Sequence, residues 1–534
     1  MAAKADAGRL CKRLDGLKAN RLPHEPHWKN CFDVTFPLRG SGFQSSTLDA
    51  QSAQSQRAKL LDSTGTDSAK VLAAGLMGGL TPSNSLWFGL TVDKQTDEEA
   101  RWLDASAPVL WGLIHGSNYD AEGYECCQDI VSAGWFVLYI DTDRETGEFS
   151  FEQWPLASCY ITASKRGGKI DTVYREYQLS AEQAVDDFGD ECSADLKKLA
   201  GEKPDELVTF CHAIYPRAGG KPDALLPIGL PFASCHVELK TKSLVRESGY
   251  HEFPCVVPRW SRLSNSQYAV GPAYDALPEM FMLNQLNFDE LANADLAISG
   301  MWIAEDDGVL NPRTLKVGPR KVIVANSVDS MKPLEAPGDW QLAEYMIKSK
   351  QAQVRKVFMA DQLQPADTPG EETAYEVHVR VTLIRQLLGP TYGRLQSEHL
   401  QPMIDRTFGL AFRAGKFEPA PRSLVNRTIR AKYASPLARA QRAEEVTAMD
   451  QYETSLAQNS MIDPQIVDNY DMDGASRERA MLLGVPLKLV RTQDEVDEKR
   501  EARAEARKAL ETQQIAAAGK TAFAEEQGRQ IAGA

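Results

Sequence analysis

The sequence predicts an α+β chain that is mainly helical, and three observations point to this class. Alternating runs typical of strands are concentrated in a block that ends near Gly271. Two long helical patterns then enclose a segment rich in turn residues and β-branched runs, residues 299–338. From Ser435 onward every pattern is helical. The predicted order is therefore a mixed α+β part, a helix–β–helix part and a helical C-terminal part.

Length, composition and charge exclude some classes of protein. The 534 residues suggest roughly three to four domains, and a hydrophobic content of 43% is enough for a sizeable core. The net charge of −14 argues against a protein that grips nucleic acid over a broad surface, because phosphate binding requires clustered lysine and arginine. A local basic stripe is still compatible with this charge.

Cysteine usage and the N-terminal residues indicate the compartment. The nine cysteines lie between Cys11 and Cys255 without a CxxC spacing, which favours neither a disulfide framework nor a zinc site and fits a reducing compartment. The first residues lack the apolar core of a signal peptide, so we expect synthesis in the cytosol. The apolar run at 71–80 is far shorter than the ~18 to 20 residues that span a bilayer, and no membrane association is expected.

The first part of the chain, to about residue 130, is predicted to be mostly helical. Its stretch VLAAGLMGGLTPSNSLWFGL suggests a helix of small residues that breaks at Gly78 and Gly79, followed by a short strand containing Trp87 and Phe88. Small residues let another backbone approach closely. We therefore expect a tightly packed joint here, with a second helical pattern ending near Gly65.

Strand patterns follow. Residues 135–140 and 148–154 flank an Asp/Gly turn, which predicts a β-hairpin. Further strand-like runs are DTVYREYQL, LVTFCHAIYP and CHVELKTKSLVRE. Together these runs predict a mixed α+β block.

The next part contains two long helical patterns, residues 277–298 and 339–363. At 1.5 Å per residue each helix would measure about 30 to 40 Å, long enough to span a domain. The pair is therefore expected to form a stalk that carries the β-rich segment at its tip.

A polar loop separates this stalk from a further helical pattern over residues 373–414. Gly389 and Pro390 interrupt that pattern, so we expect a kink there. Ser435 and Pro436 are a favourable helix start, and Thr492 with Glu495 would form a capping box. The last 45 residues or so suggest a solvated helix that ends in a tail.

Catalytic and metal-binding motifs are missing from the sequence. It contains no GxxxxGK[ST], HExxH or GxSxG motif. His24 and His27 could bind a metal, but Pro26 disfavours a helix and a surface loop explains them better. Asp141 and Asp143 suggest a turn rather than a calcium loop. We expect no metal, no cofactor and no enzymatic activity, although a hydrolase with a nonlocal site stays open.

Five stretches of the chain carry a family resemblance. They are RAKLLDSTGTDSAKVLAAGLMGGLTPSNSLWFGL, LNQLNFDELANADLAISGMWIAEDDGVLNPRTLKVGPRKVIVA, GEETAYEVHVRV, LLGPTYGRLQSEHLQPMIDR and YASPLARAQR. In this order they resemble the head-to-tail connector, or portal, proteins of short-tailed bacteriophages. The first 50 and last 80 or so residues add little to the resemblance.

The resemblance implies the phage portal fold, with wing, stem, clip and crown regions, assembled as a ring. The regions implied for this chain are the wing at 1–271, the first stem helix at 272–298, the clip at 299–338, the second stem helix at 339–364, the tunnel loop at 365–372, a kinked long helix with the rest of the wing at 373–434, and a helical crown and C-terminal tail at 435–534.

The resemblance also implies function and partners. A ring of identical subunits, usually a dodecamer, would occupy one capsid vertex of the virion after synthesis in the host cytoplasm, and double-stranded DNA would pass through it. Implied partners are the large terminase subunit, tail adaptor and nozzle proteins, and the major capsid and scaffolding proteins. An acidic wall with a few basic rings would guide DNA without gripping it, which fits the net charge.

Two groups of candidate residues follow from the resemblance. In the clip, tryptophan and arginine are typical interface anchors, although Trp302 could equally pack inside the tip. The tunnel loop would approach the DNA and repel it, unless it is an ordinary surface turn. The clip candidates are Trp302, Arg313, Lys316, Arg320 and Lys321, and the loop candidates are Asp361, Asp367, Glu371 and Glu372.

Helical geometry on the second stem helix gives a third group. Leu342, Met346 and Val357 share one side, and Lys348 and Arg355 lie together on the opposite side. The apolar side would pack on neighbouring stem helices, and the two cations would point into the channel or out toward the capsid shell. A simple solvated stripe is also possible. The weaker candidates for the channel are Lys350 and Lys356, which lie nearer the apolar side.

Two other functions remain open. A minor capsid or scaffold-type protein would form no channel, and light scattering would then show a monomer or dimer. A hydrolase with a nonlocal site is the less favoured alternative, and it stays open because missing motifs are weak evidence.

Overall fold

The computed structural model describes residues 5–40, 43, 55, 57–84, 86–93, 96–143, 146–165, 167–299, 301–304, 331–334, 340–363, 389, 391–424, 430–433, 436–460, 465, 469–483, 490–491 and 495–508. The chain divides into two compact units. The first covers 1–85 and 110–416, and the second covers 86–109 and 417–534. The mainly helical α+β class is confirmed.

The helices within these ranges are α1 Ala7–Arg21, α2 Glu25–Thr35, α3 Thr64–Leu80, α4 Asp97–His115, α5 Tyr119–Ala133, α6 Ala181–Phe188, α7 Ala194–Glu202, α8 Pro272–Ser299, α9 Trp340–Val357, α10 Ala360–Leu363, α11 Gln401–Arg413, α12 Pro436–Ser460 and α13 Met472–Leu483. The strands are β1 Phe88–Thr91, β2 Leu138–Thr142, β3 Phe149–Gln153, β4 Cys159–Thr162, β5 Thr172–Ser180, β6 Leu207–Pro216, β7 Phe232–Glu238, β8 Ser243–Tyr250, β9 Cys255–Val256, β10 Ser261–Arg262, β11 Ala269–Val270, β12 Met301–Ala304, β13 Met331–Leu334 and β14 Arg430–Tyr433.

An antiparallel sheet of five strands, in the order β4-β5-β6-β7-β8, forms much of the first unit. The predicted strand runs are confirmed, and CHVELKTKSLVRE contains parts of two strands that turn at Lys242, where φ is 52°. Helix α1 buries Leu10, Leu14 and Leu17 in one core cluster with residues of the sheet. Helices α6 and α7 contribute to a second cluster, which contains Phe210. The sheet is therefore covered by helices that come from separate parts of the sequence.

The predicted hairpin is confirmed, with β2 and β3 paired antiparallel and Leu138 opposite Gln153. Asp143 closes the turn through backbone bonds: its N–H donates to the Glu148 carbonyl, and its carbonyl accepts from the Gly147 N–H. The turn interpretation of the aspartates is thus correct for Asp143. Asp141 lies within β2.

The glycine-rich stretch differs from the prediction. Helix α3 continues through Gly78 and Gly79 to Leu80, and a Cβ on either glycine would meet nothing within 4 Å. The predicted break and the predicted close packing at these two glycines are therefore wrong for the described chain. A helix tolerates glycine at a cost of about 1 kcal/mol per residue. The close approaches occur instead at Gly65, beside Met280, and at Gly75, beside Leu363.

The two long helices are present with different ends. Helix α8 begins at Pro272, five residues before the helical pattern that starts at residue 277, because proline is favourable at the beginning of a helix. Helix α9 ends at Val357 rather than at Leu363. Met359 adopts a positive φ of 55°, which interrupts the helix before α10.

The third long helical pattern is only partly described. Residues 391–395 are helical, a π-helical turn spans Gln396–Leu400, and α11 follows directly. Gly389 is helical, whereas Pro390 lies outside the described residues, so the predicted kink stays a prediction. The sequence did not predict the π turn.

The second unit contains α12, α13, a helical segment at 495–508 and a two-stranded antiparallel sheet. This sheet pairs β1 with β14, placing Phe88 opposite Tyr433. The Trp102 Nε1–H donates to the Glu418 carbonyl over 3.0 Å. The two chain segments of this unit are thus held together by strand pairing and by a buried indole. The proposed capping box of Thr492 falls outside the described residues.

Candidate assembly and channel surface

The two long helices α8 and α9 pack against each other in the first unit. Strand β12 follows α8 directly, β13 precedes α9, and the two strands pair antiparallel with Met301 opposite Leu334. The segment formed by α8, β12, β13 and α9 is called the stalk below. It matches the predicted arrangement of two helices with a β segment between them.

One end of the stalk is anchored in the core. Met280 and Leu283 of α8 are buried, as are Ile347 and Val354 of α9. Phe358, just after α9, is fully buried. These side chains fix the N-terminal part of α8 and the C-terminal part of α9 in the core.

Helix α3 and the segment before it contact both stalk helices. A Cβ on Gly65 would lie 2.6 Å from the Met280 sulfur, and the absence of a side chain permits this approach. The Asn284 Oδ1 accepts from the Leu61 N–H over 2.8 Å, and the Gln351 Nε2 donates to Asp62 over 2.9 Å. The segment before α3 is therefore bonded to one side chain from each stalk helix.

Three aromatic side chains form an exposed stripe on α8. Tyr274, Phe281 and Phe288 follow one another at intervals of seven residues and are 44%, 47% and 58% exposed. Residues seven apart lie on nearly the same side of a helix, and this side is roughly opposite Leu283. We call these three residues the aromatic stripe. The sequence analysis missed it, although its heptad spacing was a usable signal.

Helix α9 also exposes apolar side chains. Leu342, Tyr345 and Met346 are 57%, 71% and 39% exposed. The expectation that Leu342 and Met346 share an apolar side with Val357 remains geometrically valid, since α9 is a regular helix. The side that packs within the chain is a different one, formed by Ile347 and Val354. Periodicity alone could not distinguish the two apolar sides.

The stalk helices carry opposite charges. Helix α8 contains five carboxylates and no lysine or arginine, whereas α9 contains four cations and a single acid, Glu344. Facing surfaces of opposite charge attract each other, so the two helices are electrostatically complementary.

The predicted basic stripe lies on one flank of α9. Lys348 is exposed and forms an ion pair of 2.6 Å with Glu344, and this hydrogen bond and charge lower the pKa of Glu344. Arg355 is exposed two turns further along. Gln351 lies between them on the side that bonds Asp62, so the stripe borders the segment before α3.

The weaker channel candidates occupy other positions. Lys350 is partly buried and donates to the Gln353 Oε1 over 3.0 Å, and Lys356 is exposed. Trp302 lies on β12 opposite Pro333. Asp361 is exposed within α10. The remaining candidates, Arg313, Lys316, Arg320, Lys321, Asp367, Glu371 and Glu372, lie outside the described residues.

The sequence suggested that the histidine pair near the N-terminus lies on a surface loop, and this expectation is wrong. Pro26 begins α2 without breaking it, because proline is tolerated in the first helical turn. His24 and His27 pack edge-to-face at 5.9 Å beside Trp28, and burial lowers the pKa of His27 to about 4. These rings are therefore part of an aromatic cluster.

No group of three or more His, Cys, Asp or Glu side chains among the described residues is placed to hold a metal ion. Among the helices of the described ranges, none is long and apolar enough to cross a bilayer.

Comparison with known proteins gives one family and two relatives. A model of the family "Bacteriophage head to tail connecting protein" matches residues 7–490. The chain is 27% identical over 516 residues to the probable portal protein of Bordetella phage BPP-1, covering 92% of this chain and 90% of that protein. It is 27% identical over 560 residues to the portal protein of Salmonella phage epsilon15, covering 98% and 96%.

Solved structures are more distantly similar. A chain of the neck of the empty GTA particle gives a TM-score of 0.33 at 14% identity, covering 72% of this chain and 86% of that one. A chain of the neck of the native GTA particle gives a TM-score of 0.34 at 13% identity, covering 73% and 89%. Because the family model spans nearly the whole sequence, this chain belongs to the bacteriophage head-to-tail connecting protein family.

Proposed function

We propose that this chain is a portal subunit: identical copies form a ring, expected to be a dodecamer, at one capsid vertex, and double-stranded DNA enters and leaves through it. The observation that carries the proposal is the exposed aromatic stripe on a stalk that is anchored at one end. Both 27%-identical relatives are named as portal proteins, one of them as a probable one.

The stripe supports a contact between copies. Three half-exposed aromatic rings in a row are unfavourable in water, and heptad spacing is the pattern by which helices pack side by side. Leu342 and Tyr345 of α9 lie away from the buried side of that helix and Met346 lies at its border, so this surface is open to a neighbour, as the stripe is on α8. A contact between α8 of one copy and α9 of the next would cover both surfaces. Because the two surfaces differ, repetition of this contact closes a ring when the rotation allows.

The charges support the same pairing. The α8 carboxylates nearest the stripe, Asp289 and Asp295, would approach Lys356 on the exposed apolar side of α9 in the next copy, whereas pairing of two α8 helices would bring like charges together. The favoured order around the ring therefore alternates between α8 and α9.

Native mass spectrometry and negative-stain imaging of the purified chain test this proposal. We expect rings for the natural sequence and monomers for the double variant Phe281→Asp, Phe288→Asp. Phe412, also about half exposed but on α11, provides the matched control Phe412→Asp, which should still form rings. Monomers alone at micromolar concentration across several salt conditions would contradict ring formation.

The stalk tip, residues 299–338, is proposed to dock the large terminase subunit and later the tail adaptor and nozzle proteins. Trp302, Arg313, Lys316, Arg320 and Lys321 are the proposed contacts, because tryptophan and arginine provide most of the binding energy at many interfaces. Replacing Arg313 and Arg320 by alanine should weaken tail attachment. Normal attachment would count against this role.

The acidic segment after α9 is proposed as the tunnel loop that narrows the channel. Asp361, Asp367, Glu371 and Glu372 would repel DNA phosphates rather than bind them. Deletion of residues 365–370 should impair packaging or the retention of packaged DNA. If both were intact, this role would be wrong.

The location and remaining partners follow from the same proposal. The ring would be a structural component of the virion, made in the host cytoplasm and contacted by major capsid and scaffolding proteins. That the chain has no enzymatic activity, metal or cofactor stays a prediction.

A further inference from the structure

The edge of the five-stranded sheet is uncovered along half of β5. Strand β4 pairs with β5 only between Thr162 and Cys159, which lies opposite Arg175. Beyond this point β5 continues for five residues to Ser180, and among the described strands it pairs there with β6 alone. An edge of this length measures about 16 Å. Such an edge presents backbone groups with which another strand can pair.

Strand β4 begins late because the residues before it form a 3₁₀ turn. This turn spans Leu156–Ser158 and follows Pro155, which has no N–H to donate to a neighbouring strand. The N–H and the hydroxyl of Ser158 both donate to the Pro155 carbonyl, over 3.0 and 2.8 Å. The chain before β4 therefore leaves the line of that strand, and β5 has no neighbour there.

The register shows which backbone groups lie at this edge. The Ala181 N–H donates to the Glu206 carbonyl over 2.9 Å, toward the β6 side, whereas the Ser180 N–H bonds the Gln183 side chain instead. Successive residues of a strand direct their backbone groups to alternate sides. Gln178, two residues before Ser180, therefore directs its N–H and its carbonyl away from β6. Neither group has a hydrogen-bond partner among the residues that the structure describes.

A groove of about 1150 Å³ lies against the same edge. It is lined by residues 175–178 of β5, by Leu207 and Thr209 of β6, and by the end of α1 and the start of α2. Leu22 and Leu207 are 65% and 63% exposed, and Phe43 adds a third apolar side chain. The groove therefore places apolar surface beside the unpaired backbone groups of β5.

The charged side chains that line the groove are all paired. The pairs are Lys18 with Glu176 over 2.6 Å, Arg21 with Glu25 over 2.8 Å, and Arg175 with Glu152 over 2.8 Å. Arg21 also donates to the carbonyls of Leu156 and Cys159, which holds the 3₁₀ turn against α1. A phosphate group or a charged peptide would find no free counter-charge here, so the groove favours an uncharged occupant.

We propose that this groove binds an extended segment of a partner protein, which adds to the edge of β5 as a further strand. Unpaired N–H and carbonyl groups on a strand edge select an extended backbone, and pockets beside the edge select the side chains. Every described strand of this chain already pairs with another strand, so none of them is a free extended segment.

The same observations define the chemistry of the partner segment. It would be about five residues long, uncharged and apolar at alternate positions. It would not have proline opposite Gln178, because that residue must donate its N–H to the Gln178 carbonyl. This inference does not depend on the proposed ring, since the edge and the groove belong to a single chain.

A bead-bound library of random heptapeptides is the probe, and the full chain is the target. We expect selection of uncharged peptides with alternating apolar residues. Gln178→Pro removes the unpaired N–H, and the fold should tolerate it because this N–H makes no bond to β6. It should weaken binding of the selected peptide about fivefold or more, whereas Gln178→Thr, which keeps the N–H, should leave binding nearly unchanged. Equal binding by the proline variant, or selection of charged peptides, would overturn the proposal.

A second pair of variants tests the wall of the groove without changing the backbone. Leu207→Asp introduces a charge at a side chain that is 63% exposed, so the fold should be retained and peptide binding should weaken about tenfold. Leu225→Asp, at a fully exposed leucine in the loop after β6, is the matched control and should bind normally. Normal binding by Leu207→Asp would mean that the peptide lies elsewhere, and it would also overturn the proposal.

Hydrogen exchange at the Gln178 amide distinguishes a partner from other occupants. This amide should exchange rapidly both in rings and in the monomeric variant Phe281→Asp, Phe288→Asp, and about tenfold more slowly once the selected peptide is bound. Slow exchange in the monomer would mean that the chain covers its own edge, and slow exchange in rings alone would mean that a neighbouring copy does. Either result would overturn the proposal. If the natural chain forms no ring, the proposed function fails, whereas the exchange measured in the monomer still decides this inference.

Discussion

Gly75 of α3 lies directly against Leu363 of α10, although 288 residues separate them in the sequence. A Cβ added to Gly75 would be 3.1 Å from the nearer methyl carbon of Leu363, which is tighter than ordinary van der Waals contact. The same helix contacts Met280 of α8 through Gly65. Helix α3 therefore connects the anchored end of the stalk with the segment that follows it.

Valine at Gly75 should lower the free energy of unfolding by about 1 to 3 kcal/mol, the usual cost of overpacking a fitted contact. Valine at Gly79 should change it by less than about 0.5 kcal/mol, because a Cβ there meets nothing within 4 Å and valine forms helix at least as well as glycine. Urea unfolding of both variants checks this. Equal destabilisation at the two positions would contradict the packing described for α3.

This helix also shows what the sequence could predict. A run of alanine and glycine indicated a close approach of backbones, and such an approach exists. Which glycine makes it depends on where Leu363 and Met280 arrive from distant parts of the chain, and no local pattern contains that information. Gly78 and Gly79 belong to the same run of small residues, but a Cβ on either of them would meet nothing within 4 Å.

The ion pairs of Glu252 should stabilise the protein at neutral pH, and this stabilisation should be lost in acid. Burial raises the pKa of Glu252, but the hydrogen bonds and charges of Arg413 and Arg406 outweigh it, so the net shift is below the ordinary value of 4.5. A lowered pKa means that the stabilisation is present above about pH 4.5 and is lost as the pH falls through the lower folded value. Glu252→Gln should therefore cost about 1 to 3 kcal/mol at pH 7.

The pH dependence separates this effect from a simple packing defect. The difference in stability between Glu252→Gln and the natural chain should shrink steadily as the pH falls below about 4.5, measured by urea unfolding at each pH. A difference that is constant with pH would rule out the charge as its cause.

His399 should destabilise the fold at mildly acidic pH. It is buried in the π turn against Phe136, neither ring nitrogen has a hydrogen-bond partner among the described residues, and burial lowers its pKa to about 4. Between pH 6.5 and 4 the unfolded chain binds a proton that the folded chain does not. The free energy of unfolding therefore decreases by up to about 3 kcal/mol as the pH is lowered through this range. His399→Phe should remove this part of the loss while preserving the ring shape.

Thermal unfolding from pH 7 to pH 4 checks the histidine. The curves of the natural chain and of His399→Phe should diverge below pH 6.5, with the variant more stable in acid. Parallel curves would mean that His399 is not held neutral by its surroundings.

The candidate site was less predictable than the fold. The helical spacing of apolar residues and the turn residues between the two patterns located the stalk, because those signals are local. The side on which α9 packs was not evident, because Ile347 and Val354 are no more apolar than Leu342 and Met346. Which of these two apolar sides of α9 is buried depends on where α3 and α8 pack against the helix in the folded chain. The exposed aromatic stripe has the same origin, since an aromatic heptad looks alike in sequence whether it faces the core or a second copy.

The last prediction concerns the basic stripe of α9. If Lys348 and Arg355 face the channel, ring symmetry repeats each cation around the DNA, and phosphates contact them weakly in turn. Replacing both by glutamate should then slow packaging by terminase in procapsids, more at low salt than at high salt, because salt screens the interaction. Since glutamate at 348 would also repel Glu344 one turn earlier, the glutamine pair provides the matched variant with an intermediate effect. Unchanged low-salt rates in well-formed rings would place the stripe outside the channel.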